Sequence, residues 1–197
     1  MNFTVRTYIG ILIIASILIP STMLAGSVPN NSMGLALFAG WETPSGLGWK
    51  GYDQWYDGRN TILIPSYGWV LGKRWHIDLE GNIGCYHFEA KRGDRTVDAF
   101  TLGLAVMGAY DFLKFDRWAA YVDVGVGLSY WTDTLSPDYF DTNRLPGMIQ
   151  YGVGAKIQID ESHFLKLAYR LAHISGIFSD DQGINNHGVL IGITKSF

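Results

Sequence analysis

The stretch "FTLGLAVMGAYDF", residues 100–112, decides how the rest of the chain is read. Its even positions Phe100, Leu102, Leu104, Val106 and Tyr110 are large and apolar, while Thr101, Gly103, Ala105, Met107 and Ala109 alternate with them. Successive side chains of a strand point to opposite faces, so the alternation predicts a strand with one oily face and one small or polar face. "WAAYVDVGVGLSY", residues 118–130, repeats the pattern. Trp118, Val122, Val124, Val126, Leu128 and Tyr130 share one face, and Tyr121, Asp123, Gly125, Gly127 and Ser129 the other. Aromatic residues stand near both ends of the oily face.

Working outward, the same alternation recurs in eight segments at roughly 33–42, 59–71, 74–88, 97–113, 117–131, 147–159, 163–175 and 186–197. Their connections alternate in length. Short ones at "GK", "LKFD" and "DES" trade places with longer ones at 43–58, 89–96, 132–146 and 176–185. Short turns at one end and long loops at the other are the layout of an outer-membrane β-barrel, with periplasmic turns and extracellular loops. The expected fold is all-β: an eight-stranded antiparallel transmembrane barrel.

Parity sends Asp78, Glu80, Asp123, Lys156, Lys166 and Arg170 to the small or polar face. Charges have no place against lipid, so this face is the lumen and the charges pair there. Gly84, Gly103, Gly125, Gly127, Gly152, Gly154, Gly188 and Gly192 share it, as a narrow eight-stranded interior requires. A soluble ligand-binding barrel is the rival reading, but it would put the glycines in water and crowd the aromatics into the interior.

Composition agrees. Hydrophobic residues make up 48% of the chain and charged residues 17%, against roughly 25% charged in an average soluble domain. Glycine accounts for 24 of 197 residues, above the average of about 7%. At the start, Arg6, the apolar "YIGILIIASILI" and the small residues of "STMLAGS" have the order of a secretory signal peptide. We expect residues 1–27 to be that signal and 28–197 the barrel, with an uncleaved helical anchor as the alternative. Cys85 is the single cysteine and forms no internal disulfide. Fifteen basic and 18 acidic residues give no reason to propose nucleic acid as a partner. No metal cluster is visible and no cofactor is called for.

The stretch "LKLAYRLAHIS", residues 165–175, carries chemistry. Leu165, Leu167, Tyr169 and Leu171 lie on the oily face, and His173 and Ser175 continue it. Ten residues at about 3.3 Å, tilted by about 40°, climb roughly 25 Å, which puts the pair at the outer-leaflet interface and facing lipid. A histidine beside a serine is the arrangement of a nucleophile activated by a general base. Asn185 and His187, outward at the same height on the last strand, are each placed to orient the imidazole. Asp180 and Asp181 are carboxylates of lower rank. The backbone amides of Gly176 and Ile177 are the candidate oxyanion hole. The plainer reading is that these are interfacial polar residues where a strand leaves the membrane.

At these residues the chain resembles a known family. "YRLAHISGIFSDDQGIN" is similar to the C-terminal signature of the lipid A 3-O-deacylase family of outer-membrane acyloxyacyl hydrolases, eight-stranded barrels with an active site on the lipid-facing wall. The resemblance implies that His173 is the base and Ser175 the nucleophile, and that Gly183 and Ile184 form the step before the orienting acid. Two departures stand out. Gly176-Ile177 replaces an Asn-Ala, removing the side-chain part of the oxyanion hole, and Asn185 replaces a glutamate. The expected function is therefore an outer-membrane serine esterase that removes an ester-linked acyl chain from lipid A of lipopolysaccharide in a Gram-negative bacterium. A homodimer stays open. The alternatives are a non-catalytic structural or adhesion barrel and an outer-membrane phospholipase.

Overall fold

The computed structural model describes residues 31–42, 56–90, 96–132, 145–175 and 184–197. Eight strands follow one another around a closed antiparallel barrel. They are β1 (Asn31–Glu42), β2 (Tyr56–Val70), β3 (Trp75–Ala90), β4 (Thr96–Lys114), β5 (Trp118–Trp131), β6 (Gly147–Gln158), β7 (His163–Ser175) and β8 (Ile184–Ser196). The segments expected from alternation differ from these only at their ends. The expected signal segment 1–27 lies outside the described residues. No described helix is long and apolar enough to cross a membrane, which says nothing of a closed barrel, whose strands cross with their backbone groups paired to one another.

Closure is made between the first and last strands. Asn31 and Phe197 exchange backbone hydrogen bonds, and the pairing continues through Leu37↔Ile191 to Glu42↔Asn186, which leaves no sheet edge in lipid. The tight turns have local causes. Between β6 and β7 the Asp160 carboxylate accepts hydrogen bonds from the Ser162 and His163 amides at 2.8 and 2.9 Å, folding the backbone over its own side chain. Those amides, led by that of Ser162, and the His163 ring hold the Asp160 carboxyl down to about 2.

Alternation becomes a two-faced wall. Leu104 and Val124 are 62% and 60% exposed, whereas Met107 and Tyr121, one strand face away, are fully buried. The oily face is thus the outer surface and belongs in lipid. A bulge in β4 between Asp111 and Leu113 breaks the alternation near the periplasmic end, where Phe112 and Leu113 are both exposed.

The lumen is filled in two layers. Toward the long loops it is apolar, with Phe38, Tyr86, Phe88, Trp131, Ile174 and Ile184 buried. At mid-height Arg170 bonds Glu80 at 2.6 and 2.8 Å and Asp123 at 2.7 and 3.1 Å. Lys166 adds contacts to Asp78 and Glu80 at 3.6 and 3.8 Å. Nearer the periplasm, Asp111 holds both Lys156 and His76, at 2.8 and 2.9 Å. Asp111 is an addition to the six charges assigned from the sequence. Gly152 is needed here, because a Cβ on it would lie 2.7 Å from both the Arg170 stem and the Asp123 carboxylate.

Candidate active site on the outer wall

β7 and β8 position the site through their register. Lys166, Ala168, Arg170 and Ile174 are buried in the lumen, so Leu165, Leu167, Tyr169, Leu171, His173 and Ser175 lie on the outer wall. On β8 the buried Leu190 fixes the opposite parity for Asn185, His187, Val189 and Ile191. His173 is the direct cross-strand partner of Asn185, and Leu171 that of His187. A shift of one residue in either strand would turn its polar side chains into the barrel.

The consequence is a hydrogen bond on the lipid-facing wall. His173 Nδ1 and Asn185 Oδ1 are 2.8 Å apart. An amide oxygen only accepts, so Nδ1 carries the proton and Nε2 is left as the basic nitrogen of the ring. Asn185 is 7% exposed, which shelters this bond from water, and its Nδ2 has no hydrogen-bond partner among the described residues.

Ser175 ends β7 two residues beyond His173 on the same face and is half-buried. Serine and imidazole are therefore neighbours on one stripe of the outer wall. Across the strand the partner of Ser175 is Gly147 on β6, which puts no side chain beside the hydroxyl on that flank. Catalytic hydrogen bonds are often long before substrate binds, so the spacing suits a nucleophile that couples to its base on engagement.

His187 has a different attachment. Its Nδ1 is hydrogen-bonded to the Tyr169 hydroxyl, and its ring meets Trp41 of β1 edge-on at 4.6 Å between centroids. The structure therefore gives the His173 ring to Asn185 and ties His187 into an aromatic cluster beneath it. That cluster was not found from the sequence, although Tyr169 stands on the same stripe as His173. Its other member lies on β1, and only barrel closure brings it near. Gly176, Ile177, Asp180, Asp181 and Gly183 lie outside the described residues. Among the described residues no group of three or more His, Cys, Asp or Glu could hold a metal ion.

Comparison with known proteins gives one family match and a set of structural likenesses. The family model described as lipid A 3-O-deacylase (PagL) matches residues 45–194, more than half of the chain and including His173, Ser175, Asn185 and His187. No curated protein matches the chain by sequence. Among solved structures, the outer membrane protein OprG from Pseudomonas aeruginosa superposes with a TM-score of 0.57 at 14% identity, covering 89% of this chain and 99% of its own. Neisserial surface protein A gives 0.57 at 12% identity, covering 87% and 99%. The outer membrane enzyme PagL gives 0.54 at 18% identity, covering 82% and 97%. At these identities the likeness is one of fold, and the fold is that of proteins of the Gram-negative outer membrane.

Proposed function

The chain belongs to the lipid A 3-O-deacylase family, and from that membership we propose that it is an outer-membrane serine esterase releasing an ester-linked acyl chain from lipid A. Ser175 Oγ attacks the ester carbonyl while His173 Nε2 takes its proton. The imidazolium then returns that proton to the leaving alkoxide, and water resolves the acyl-enzyme by the same two steps. Asn185 holds the ring with Nε2 unprotonated and ready. The backbone amides of Gly176 and Ile177 are the proposed donors to the oxyanion. An outward site suits this substrate, because lipid A lies in the outer leaflet and reaches the wall by lateral diffusion.

The observation that carries the reading is the His173–Asn185 hydrogen bond, formed on the lipid-facing wall with Ser175 next on the same stripe. Asparagine supplies orientation without charge. It leaves the imidazolium of the transition state less stabilised than a carboxylate would, so the expected enzyme is slow rather than inert. Mass spectrometry of lipid A incubated with wild-type protein and with Ser175→Ala tests the assignment. Loss of one acyl chain only with the wild type is the expected result.

A second reading, a non-catalytic barrel with a structural or adhesive role, is favoured by the missing carboxylate at Asn185. One fold serves many functions, so the barrel itself does not decide between the two. Absence of any acyl release by the wild type would favour this second reading.

A further inference from the structure

The periplasmic rim is electrically one-sided. The turn between β2 and β3 carries Lys73 and Arg74, and the junction of β4 and β5 carries Lys114, the last residue of β4, with Asp116 and Arg117 in the turn, all exposed. The third short turn, between β6 and β7, carries exposed Asp160 and Glu161 beside His163. The two basic turns are neighbours tied together. Arg74 O accepts from the Asp111 amide at 2.9 Å, and Lys114 Nζ donates to Lys73 O at 3.4 Å. Arg74 also reaches Phe112 O and the Tyr110 hydroxyl at 3.5 Å. Four cations and one anion therefore stand on one continuous stretch of rim.

This stretch is also walled with exposed aromatics. Trp75 packs on Tyr110 at 4.7 Å and Phe115 on Trp118 at 4.4 Å, and Leu71 and Leu113 are exposed beside them. Large aromatics with cations just beyond them are placed to insert into the acyl and glycerol region while the cations meet headgroup phosphates. Lys73, Lys114 and Arg117 are exposed among these aromatics, and no described carboxylate other than Asp116 shares this stretch with them.

We propose that the β2–β3 and β4–β5 turns form a binding site for an anionic phospholipid headgroup of the inner leaflet. The partner has to be a lipid with net negative charge, because a zwitterionic headgroup brings its own ammonium to a patch already rich in cations. On the acidic side Asp160, with its carboxyl held down to about 2, stays charged and repels the same lipid. Binding is therefore confined to one side of the rim. It lies in the opposite leaflet and across the barrel from β7 and β8, so it is independent of the proposed hydrolysis.

The test is competition in a defined bilayer. Folded protein in nanodiscs of equal phosphatidylglycerol and phosphatidylethanolamine with matched acyl chains is released for native mass spectrometry. Wild type should retain phosphatidylglycerol over phosphatidylethanolamine by about tenfold, as two or three additive cation contacts allow. Lys73→Gln/Lys114→Gln/Arg117→Gln should bring retention near parity, while Asp160→Asn/Glu161→Gln should not lower it. Arg117→Gln alone disturbs no hydrogen bond of the described residues and should lower the preference severalfold, which keeps the test valid should the triple variant fold poorly. Equal retention by the wild type, or a preference that survives the triple change, overturns the proposal. So does displacement of phosphatidylglycerol by millimolar inorganic phosphate, which would make this a phosphate site rather than a lipid site.

Discussion

Asn185 sits directly across from His173 in the β7–β8 ladder and accepts a hydrogen bond from its Nδ1 at 2.8 Å. The carboxamide fixes the tautomer of the ring but carries no charge to set against a developing imidazolium. Asn185→Asp keeps the length and shape of the side chain and adds that charge. It should raise kcat, by at most the roughly 10⁴-fold by which the reverse change lowers it in a serine protease. Asn185→Ala should lower kcat about tenfold or more without unfolding the barrel. Steady-state acyl release from purified lipid A checks both, and equal rates for all three proteins would remove Asn185 from the mechanism.

His187 is held by Tyr169 and Trp41, not by His173. Tyr169→Phe should cost about 1 kcal/mol of stability in urea titrations, the usual net worth of one hydrogen bond, and leave acyl release within a fewfold of wild type. His173→Ala should have the converse profile. A collapse of activity in Tyr169→Phe would instead make the aromatic cluster part of the catalytic machinery.

Arg170 is 2% exposed and is the shared partner of Glu80 and Asp123. Arg170→Ala leaves the buried Asp123 without its ion-pair partner and Glu80 with only the longer Lys166 contact at 3.8 Å, and should cost about 3–5 kcal/mol, measured by unfolding from lipid vesicles. Arg170→Met with Glu80→Leu and Asp123→Asn should recover a large part of that loss, because the cost comes from uncompensated charge.

Leu104 and Val124 face outward near mid-height on β4 and β5. Changing either to Arg should weaken folding into bilayers by about 2 to 4 kcal/mol. The same change at an exposed rim position such as Lys73 should be close to neutral.

The strands were legible because lipid outside and a narrow lumen inside impose a period of two on residues such as those of 100–112. The six lumenal charges followed from the same parity. Asp111 shares the lumenal parity of Met107 and Ala109, so the same rule reaches it as a seventh charge; the alternation fails only beyond it, where Phe112 and Leu113 both turn outward at the bulge. At the site, parity put His173, Ser175, Asn185 and His187 on one wall but left two partners for the imidazole. Asn185 and His187 differ by a register shift of two residues, which keeps both on the outer face, and register depends on the cross-strand pairing rather than on the pattern of either strand. The Trp41 contact was out of reach for another reason, since it joins the first strand to the last and exists only in the closed barrel.

The most direct measurement of the central claim is the mass of lipid A after incubation with purified, folded wild type, Ser175→Ala, His173→Ala and the double variant. The account predicts loss of one acyl chain with the wild type only, and a double variant no worse than either single one, since each change disables the same step. Undiminished acyl release by Ser175→Ala would contradict it.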